Sequence, residues 1–336
     1  MKRVTILSLC HCWLATAAFG AAEEAQPTYA ELLGWEQGAR VLILHADDAG
    51  MSHDSNVGII EAFEKGVLTS TSTMMPCPWV PEWARYCAEH PDVDNGLHLT
   101  LTSEWKDYRW GPLAGKHRVP GLTDEQGCLW DNVGLVVEHA SAEELEIEIR
   151  AQIDRAKTMG LPITHLDTHM GTVYATPEFF AAYVKIGIEM QLPLMIPGGH
   201  ATLAQEEYID LADQFPAIRQ VAKAVWDSGL PMLDDLFSDT YGWKTFEVKK
   251  KNMLELLRRL RPGVTQVIVH CTRPSETFPF ISDSGDTRLA DLEVMLDPDI
   301  KKAIEDEGIL LTTWRELIER RARAAASQGT AGNGSG

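Results

Sequence analysis

The stretch Arg40-Val-Leu-Ile-Leu-His-Ala-Asp-Asp48 joins a run of apolar, β-forming residues to a histidine and two aspartates. A nearly continuous apolar run is typical of a strand that is buried on both faces, as in a parallel sheet. Because the polar residues come where the strand ends, the stretch predicts a functional site at the carboxyl end of that sheet.

The same pattern recurs at three later points in the chain. β-forming residues lead to histidine or aspartate in Gly96-Leu-His98, in His165-Leu-Asp-Thr-His169 and in Val267-Ile-Val-His270. Carboxylates and imidazoles brought together from several strand ends are the ligands that a divalent metal needs, and barrel enzymes build their active centres at one rim in this way. The four segments together therefore predict a metal site.

Each of these residues also has an ordinary structural explanation. The Asp47–Asp48 pair could form a turn or cap a helix, and His98 could be a core histidine with both ring nitrogens hydrogen-bonded. The segment His165–His169 is more telling, because its first, third and fifth residues share one face of a strand. Three titratable groups on one buried face are costly unless they bind a metal or each other.

Strand patterns alternate with helical periodicity along the rest of the chain, which favours a parallel α/β barrel. The clearest helix covers residues 142–159, and residues 103–135 form a long loop at the rim. The remaining predicted strands are 69–75, 95–101, 163–168, 192–196, 266–271 and 309–313, and the remaining predicted helices are 56–65, 83–89, 177–190, 214–227 and 247–260. No Gly-x-Gly-x-x-Gly follows the first strand, so a dinucleotide-binding fold has no support.

The ends of the chain differ from the middle. Residues 1–22 combine Lys2 and Arg3 with a short apolar run and a zone of small residues, which is typical of a secretory signal peptide and too short for a membrane span of roughly 20 residues. We expect export to the periplasm or the medium. Residues 23–39 form an N-terminal segment, 40–320 a single barrel domain, and 324–336 a tail whose composition predicts disorder.

Charge and cysteine content restrict the partners and the redox chemistry. The formal net charge of −19 argues against nucleic acid and anionic membrane surfaces as partners. A neutral or cationic small substrate fits better, although an acidic surface can simply be solvated. The four cysteines beyond residue 22 match no zinc-binding spacing. Buried free thiols are the preferred interpretation, with a Cys77–Cys87 disulfide as the alternative.

These segments together resemble the YdjC-like carbohydrate deacetylases, which include chito-oligosaccharide deacetylase and the hopanoid-associated deacetylases. The resemblance extends over about residues 40–317. It is carried by Ala46-Asp-Asp-Ala-Gly50, by Asn56 through Gly66 with Val67-Leu-Thr-Ser-Thr71, by Gly96-Leu-His-Leu-Thr-Leu-Thr102, by Thr164-His-Leu-Asp-Thr-His169, by the strand that ends in His270, and by Arg288-Leu-Ala-Asp-Leu-Glu293.

The resemblance implies a deformed, seven-stranded (β/α) barrel with one divalent metal ion, usually assigned as Mg²⁺, with Zn²⁺ as the alternative. Position by position, it makes Asp48, His98 and His169 the metal ligands. It makes Asp47 the general base that takes a proton from the attacking water, and His270 the general acid that protonates the leaving amine. The implied substrate is an N-acetylated sugar or oligosaccharide, which loses its acetyl group.

His165 and Asp167 are not metal ligands in this interpretation. They become a supporting shell around the metal site. The chain also departs from the family in residues that would line a substrate pocket, because Ala49 stands where many relatives have Phe, and Met170 and Cys271 follow two of the site histidines. The metal site is therefore better supported than the identity of the sugar.

Two other functions fit the same residues. One is a metal-dependent hydrolase of another amide or ester, and the other is a glycan-binding module with a vestigial site. Trp105, Trp110 and Trp130 in the rim loop could stack on sugar rings in either an enzyme or a binding module. Retention of both Asp47 and His270 favours the enzyme, because neither is needed merely to hold a metal and a ligand. The sequence leaves the oligomeric state open.

Overall fold

The computed structural model describes residues 26–332. The predicted signal peptide, residues 1–22, lies outside this range, as do residues 333–336. The strands are β1 Arg40–Ala49, β2 Ser70–Thr73, β3 Asn95–Leu99, β4 Leu166–Thr168, β5 Asp235–Phe237, β6 Gly263–Val269 and β7 Leu310–Leu311. The helices are α1 Tyr29–Leu32, α2 His53–Lys65, α3 Val80–Glu89, α4 Val133–His139, α5 Ala142–Thr158, α6 Pro177–Met190, α7 Thr202–Glu207, α8 Phe215–Asp227, α9 Phe246–Arg259, α10 Gly285–Leu296, α11 Pro298–Asp306 and α12 Trp314–Gly332.

All the paired strands run parallel in a single sheet whose order is β4-β3-β2-β1-β6-β5. The central strand β1 pairs with β6 from Arg40 to Ala46. On its other side, β1 pairs with the short β7 near its start and with β2 near its end. Parallel pairing places the carboxyl ends of the strands at one rim, where the four polar segments meet.

Side chains of β1 alternate between two apolar clusters. Leu42 and Leu44 pack in the larger cluster, whereas Val41 and Ile43 pack in a smaller one together with Trp314. The strand is therefore buried on both faces, as its continuous apolar run predicts. His45 and Asp47 follow Val41 and Ile43 at period two, which directs both polar side chains to the face of the smaller cluster.

The sheet curls into a half-barrel, and the two edge strands are linked by the segment 194–197. Leu194 forms an isolated bridge with Leu166 of β4, and Pro197 forms one with Leu233 just before β5. The predicted α/β fold with a deformed barrel is confirmed. The predicted strand 192–196 lies at this place but makes no ladder, because Pro193 and Pro197 lack the N–H groups that a ladder needs.

Three further expectations need correction. Strand β5, residues Asp235–Phe237, lies in a region whose pattern predicts no strand. Helix α4 begins at Val133, inside the predicted rim loop. Helix α12 continues to Gly332, so residues 324–332 are helical where composition predicts disorder. Ala324, Ala325 and Ala326 explain this last difference, because alanine has the highest helix propensity.

The structure tests the disulfide that was the alternative to free thiols. Within the described range, Cys77, Cys87, Cys128 and Cys271 are free thiols, so the Cys77–Cys87 disulfide does not form. Three of the four are buried, as the preferred interpretation expects.

Among the helices of residues 26–332, none combines the length and the apolar character that crossing a bilayer requires.

Candidate metal centre and active site

The site begins with an unusual turn at the end of β1. Asp48 has a backbone φ of 71°, in the left-handed region that residues other than glycine rarely adopt, and Gly50 follows with a φ of 78°. The Asn56 side chain stabilises this turn by accepting a 2.7 Å hydrogen bond from the Gly50 N–H. Strained backbone of this kind concentrates at functional sites, and here the two adjacent carboxylates, Asp47 and Asp48, both lie within 3.7 Å of His98 Nε2.

Asp48, His98 and His169, which come from β1, β3 and the turn after β4, converge at one point. Asp48 Oδ1 lies 3.5 Å from His98 Nε2 and 3.6 Å from His169 Nδ1. The two ring nitrogens are 3.3 Å apart. All three side chains are buried.

The donor atoms of these three residues fit a metal ion. Ligand atoms that are each about 2.1 Å from one ion lie about 3.0 to 4.2 Å from one another, which matches the observed triangle. Asp48 Oδ1 has no hydrogen-bond partner among the described residues, and leaving such a buried oxygen unfilled is costly. The structure thus brings the three predicted ligands together in a form that could hold a cation.

Carboxylates orient both imidazoles. His98 Nδ1 donates to Asp167 Oδ1 at 2.8 Å, which leaves Nε2 to face Asp48. His169 Nε2 lies 3.0 and 3.1 Å from the two carboxylate oxygens of Glu104, which leaves Nδ1 to face Asp48. A carboxylate on the far nitrogen of each histidine is the usual way in which proteins fix the ring of a metal ligand.

The second oxygen of Asp48 is held by Arg288, whose Nη1 donates to Oδ2 at 2.6 Å. Burial alone would raise the pKa of Asp48, but the charges of Arg288 and His169 outweigh it and hold that pKa well below its usual range. The guanidinium lies 6.0 Å from the Trp105 ring centre and 5.7 Å from that of Tyr241. Asp48 is therefore ionised, and one of its oxygens remains available to a cation.

Nearby charges also act on the two histidines that face Asp48. Burial lowers the pKa of His169, but Glu104 and Asp48 outweigh it and raise the pKa to about 10. Burial also lowers the pKa of His98, but the charges of Asp47 and Asp167 outweigh it, so that pKa is raised. The negative charges around both rings thus favour a positive charge between them, which a bound metal ion would supply in place of protons.

Asp47 lies between the three converging residues and His270. Its Oδ2 is 3.7 Å from His98 Nε2 and 3.8 Å from His270 Nε2, and its Oδ1 is 3.2 Å from His45 Nε2. It is 7% exposed, whereas Asp48 is 1% exposed. Of the two adjacent carboxylates, Asp47 is thus the one that solvent or a substrate can reach.

His270 follows β6 and reaches the same rim. Its backbone N–H donates to Asp291 Oδ2 at 3.0 Å, and its Nδ1 lies 3.9 Å from the same oxygen. Asp291 is also bonded to the buried Lys249 at 2.7 Å. Burial, together with the charge of Arg288, lowers the pKa of His270 to about 4, so the ring is neutral near pH 7.

Of the three tryptophans considered for sugar stacking, Trp105 is the one beside the site. Its ring is partly exposed and lies 6.3 Å from the ring of His169. Trp110 is buried and donates to the Thr102 carbonyl, while Trp130 donates to the Gly121 carbonyl and stacks on His139. Trp110 and Trp130 therefore have packing roles within the rim loop.

The structure also shows site residues that the sequence pattern missed. Glu104 lies in a loop without periodicity, and its one signal is its position five residues after Leu99, the last residue of β3. Arg288 lies in a segment that carries the family resemblance, but nothing in that segment indicates a partner for Asp48. Contacts of this kind depend on the tertiary fold.

The family described as YdjC-like protein matches residues 41–306. The chain belongs to this family. The resemblance seen in the sequence is thus confirmed.

Two relatives are similar over nearly their whole length. A carbohydrate deacetylase of Geobacillus stearothermophilus is 30% identical over 282 residues, which cover 83% of this chain and 99% of the relative. A chitooligosaccharide deacetylase of Proteus mirabilis is 28% identical over 285 residues, which cover 83% of this chain and 100% of the relative.

A solved structure from Enterococcus faecalis, described as a candidate cellobiose-phosphate cleavage protein, has a similar fold. It superposes with a TM-score of 0.69 and 24% identity, over 83% of this chain and 99% of the other. This likeness supports the deformed barrel.

Proposed function

We propose that the protein is a metal-dependent deacetylase that removes the N-acetyl group from an amino sugar or an oligosaccharide. Members of its family are hydrolases of amide C–N bonds, and the protein is therefore an enzyme of that class. The observation that carries the proposal is the convergence of Asp48, His98 and His169 around the unpartnered Asp48 Oδ1, with Asp47 and His270 beside it.

Asp48 Oδ1, His98 Nε2 and His169 Nδ1 are the atoms that would hold the ion. When bound, the ion supplies Lewis-acid polarisation of the acetyl carbonyl and acidifies water. The resemblance favours Mg²⁺, but this donor set does not, because Mg²⁺ prefers oxygen ligands whereas two imidazoles and one carboxylate suit Zn²⁺ or another transition metal. We therefore propose a zinc-like ion.

Asp47 is the general base in this proposal. Its carboxylate lies beside the three ligands without being needed to complete them, and it is less deeply buried than Asp48, so a water molecule can reach it. By removing a proton from that water, Asp47 would create the nucleophile that attacks the acetyl carbonyl.

His270 is the proposed general acid. Because its pKa of about 4 leaves the ring neutral near pH 7, His270 must gain during the reaction the proton that it gives to the leaving amine. Asp47 Oδ2, 3.8 Å from His270 Nε2, is placed to pass on the proton that it took from water. Water thus provides both the hydroxyl that joins the acetyl group and the proton that joins the amine.

Two features support a sugar as the substrate. The curated relatives reported above are named for carbohydrates and chito-oligosaccharides. The partly exposed Trp105 ring beside His169 offers a flat apolar surface, and the C–H faces of sugar rings pack well on such surfaces.

The experiment is a screen of N-acetylated sugars and chito-oligosaccharides for release of both acetate and free amine. The purified protein is assayed as isolated, after chelation, and after chelation with Zn²⁺, Mn²⁺, Co²⁺ or Mg²⁺ added back. We expect equal amounts of acetate and amine, loss on chelation, and recovery with Zn²⁺ exceeding that with Mg²⁺. If no metal is bound and no added ion gives activity, the enzyme proposal fails.

The same screen tests the substrate class separately from the hydrolase activity. Non-sugar N-acetyl amides and acetate esters are assayed in parallel. If these compounds release acetate and no sugar does, the proposal of a hydrolase stands and the proposal of a carbohydrate substrate fails.

We also propose that the protein is exported, on the basis of residues 1–22. Fractionation of cells that express the full chain tests this, because export predicts a shortened protein outside the cytoplasm. A full-length protein confined to the cytoplasm would overturn it.

A further inference from the structure

A second group of metal-binding side chains lies behind the first, deeper in the sheet. We name His45, His165 and Asp167 the inner cluster. All three are fully buried, and one ligand atom from each lies within 4.8 Å of the others. Asp167 Oδ2 is 2.9 Å from His45 Nε2 and 3.7 Å from His165 Nε2. The 3.7 Å distance falls within the separation of about 3.0 to 4.2 Å that two ligands of one metal ion show, and the 2.9 Å distance lies at its lower edge.

Each ring of the inner cluster is fixed through its other nitrogen. Ser70 Oγ lies 3.0 Å from His45 Nδ1, and Thr164 Oγ1 lies 3.0 Å from His165 Nδ1. Each hydroxyl can accept the Nδ1–H, which leaves Nε2 as a lone pair directed toward Asp167. This is the tautomer and the arrangement that metal-ligating histidines use.

The ring of His165 has no room to turn away. It stacks on Trp314 with ring centres 4.9 Å apart and an angle of 16° between the planes. Gly96 also lies against this ring, because an added Cβ there would meet the His165 ring at 2.5 Å. The backbone and a tryptophan thus hold His165 Nε2 in place, although no described hydrogen bond uses it.

Unpartnered atoms surround the inner cluster. In the described part of the chain, His165 Nε2, Asp167 Oδ2 and Asp47 Oδ1 are buried and make no hydrogen bond. Asp47 Oδ1 also lies 3.2 Å from His45 Nε2. Buried acceptors without partners are rare. Here Asp47 Oδ1 and Asp167 Oδ2 both lie near His45 Nε2, and His165 Nε2 lies near Asp167 Oδ2. Asp48 Oδ1 is likewise a buried acceptor without a partner at the first site.

We propose that the inner cluster is a second divalent metal site, in which His45 Nε2, His165 Nε2 and Asp167 Oδ2 bind an ion. Asp167 connects the two sites, because its Oδ1 accepts from His98 Nδ1 while its Oδ2 faces the inner cluster. An ion there fixes Asp167 and, through it, the ring of His98. The donor set again suits Zn²⁺ better than Mg²⁺.

The competing occupant of this space is a proton on His45. Burial lowers the pKa of His45, but Asp167 and Asp47 outweigh it and raise the pKa to about 9, and the Ser72 hydroxyl lies 3.1 Å from Nε2. One proton on Nε2 would satisfy His45, yet it would leave His165 Nε2 without a partner. Counting metal ions distinguishes the two occupants.

The test is the metal content of the purified protein after saturation with Zn²⁺ and removal of free ion, measured by mass spectrometry. We expect two ions per chain in the wild type and one in His45→Asn, in His165→Asn and in His169→Ala. The exposed His90 supplies the matched control, and His90→Asn should keep two. One ion in the wild type overturns the inference, as does a second ion that persists in both His45→Asn and His165→Asn.

A measurement on the wild type alone covers the case in which these variants do not fold. With Mn²⁺ at saturation, two ions linked through His98 and Asp167 lie close enough to broaden each other's electron paramagnetic resonance signal by dipolar coupling, whereas a lone ion gives an isolated six-line signal. An isolated signal alone would overturn the inference. Neither measurement uses a substrate, so the result is independent of whether the deacetylase proposal holds.

Discussion

Buried aspartates lie at both ends of the parallel sheet, and the two ends use their oxygens differently. At the amino end, Asp94 accepts from two backbone N–H groups of α12, and Asp234 accepts from three, at Tyr29, Ala30 and Val264. Every oxygen of these two carboxylates has a backbone partner.

At the carboxyl end, Asp47, Asp48 and Asp167 each keep one oxygen without a hydrogen bond, as far as residues 26–332 are concerned. Burial is similar at both ends, so burial does not separate the two kinds of aspartate. Because a buried carboxylate oxygen without a partner is costly, backbone amides complete the carboxylates at one end, and the proposed cations would complete those at the other.

The largest expected effect is at a ligand of the first site. In His169→Ala, Asp48 and His98 alone hold the ion too weakly, and acetate release should fall by about 10³-fold or more. Metal content measured on the same sample should show the loss of the ion from this site. His90→Ala, at an exposed histidine, should retain both properties. Unchanged metal content and activity in His169→Ala would contradict the proposal that the carboxyl end of the sheet binds cations whereas the amino end does not.

An intermediate effect is expected at Glu104. In Glu104→Gln, an amide replaces the carboxylate on His169 Nε2, so the ring is oriented less firmly and is a weaker base. We expect the affinity for Zn²⁺ to fall by about 10- to 100-fold, as measured by competition with a chromophoric chelator. The exposed Glu125 of the same loop gives the control variant, Glu125→Gln. Unchanged affinity in Glu104→Gln would mean that Glu104 does not position the ligand.

A change at the amino end should alter stability and leave the chemistry intact. In Asp234→Asn, one amide oxygen cannot accept all three N–H groups, and we expect a loss of about 1 to 3 kcal/mol in the free energy of unfolding by urea. Metal content and activity of the folded protein should not change, and the exposed Asp92→Asn serves as the control. Loss of metal without loss of stability would show that the amino end is not merely structural.

The sequence predicts the parts of this molecule that depend on local pattern. The apolar run before His45 identifies the central strand, and Leu145, Ile149 and Ile153 identify α5, whose start at Ser141 carries a capping box. The strand ends identify Asp48, His98 and His169 as neighbours, because parallel strands bring their carboxyl ends to one rim. The roles that the family resemblance gives these residues stay predictions.

Other parts depend on contacts that no local pattern encodes. Glu104 lies in a loop without periodicity, and its contact with His169 spans 65 residues of chain. Arg288 meets Asp48 across 240 residues. The short β5, Asp235–Phe237, has three residues and too little length for a period to be seen. The sequence pattern places His165 and Asp167 of the inner cluster on one strand face. It does not predict His45 beside them, because that position follows from the pairing of β1 with its neighbouring strands.

The central claim is that one aspartate of the Asp47–Asp48 pair holds a metal and that the other moves a proton. The most direct test is to measure metal content and acetate release on the same sample of Asp47→Asn. The account predicts wild-type occupancy of the first site, with release reduced by about 10²- to 10⁴-fold. Full activity in Asp47→Asn, or loss of the first-site ion in that variant, would contradict it.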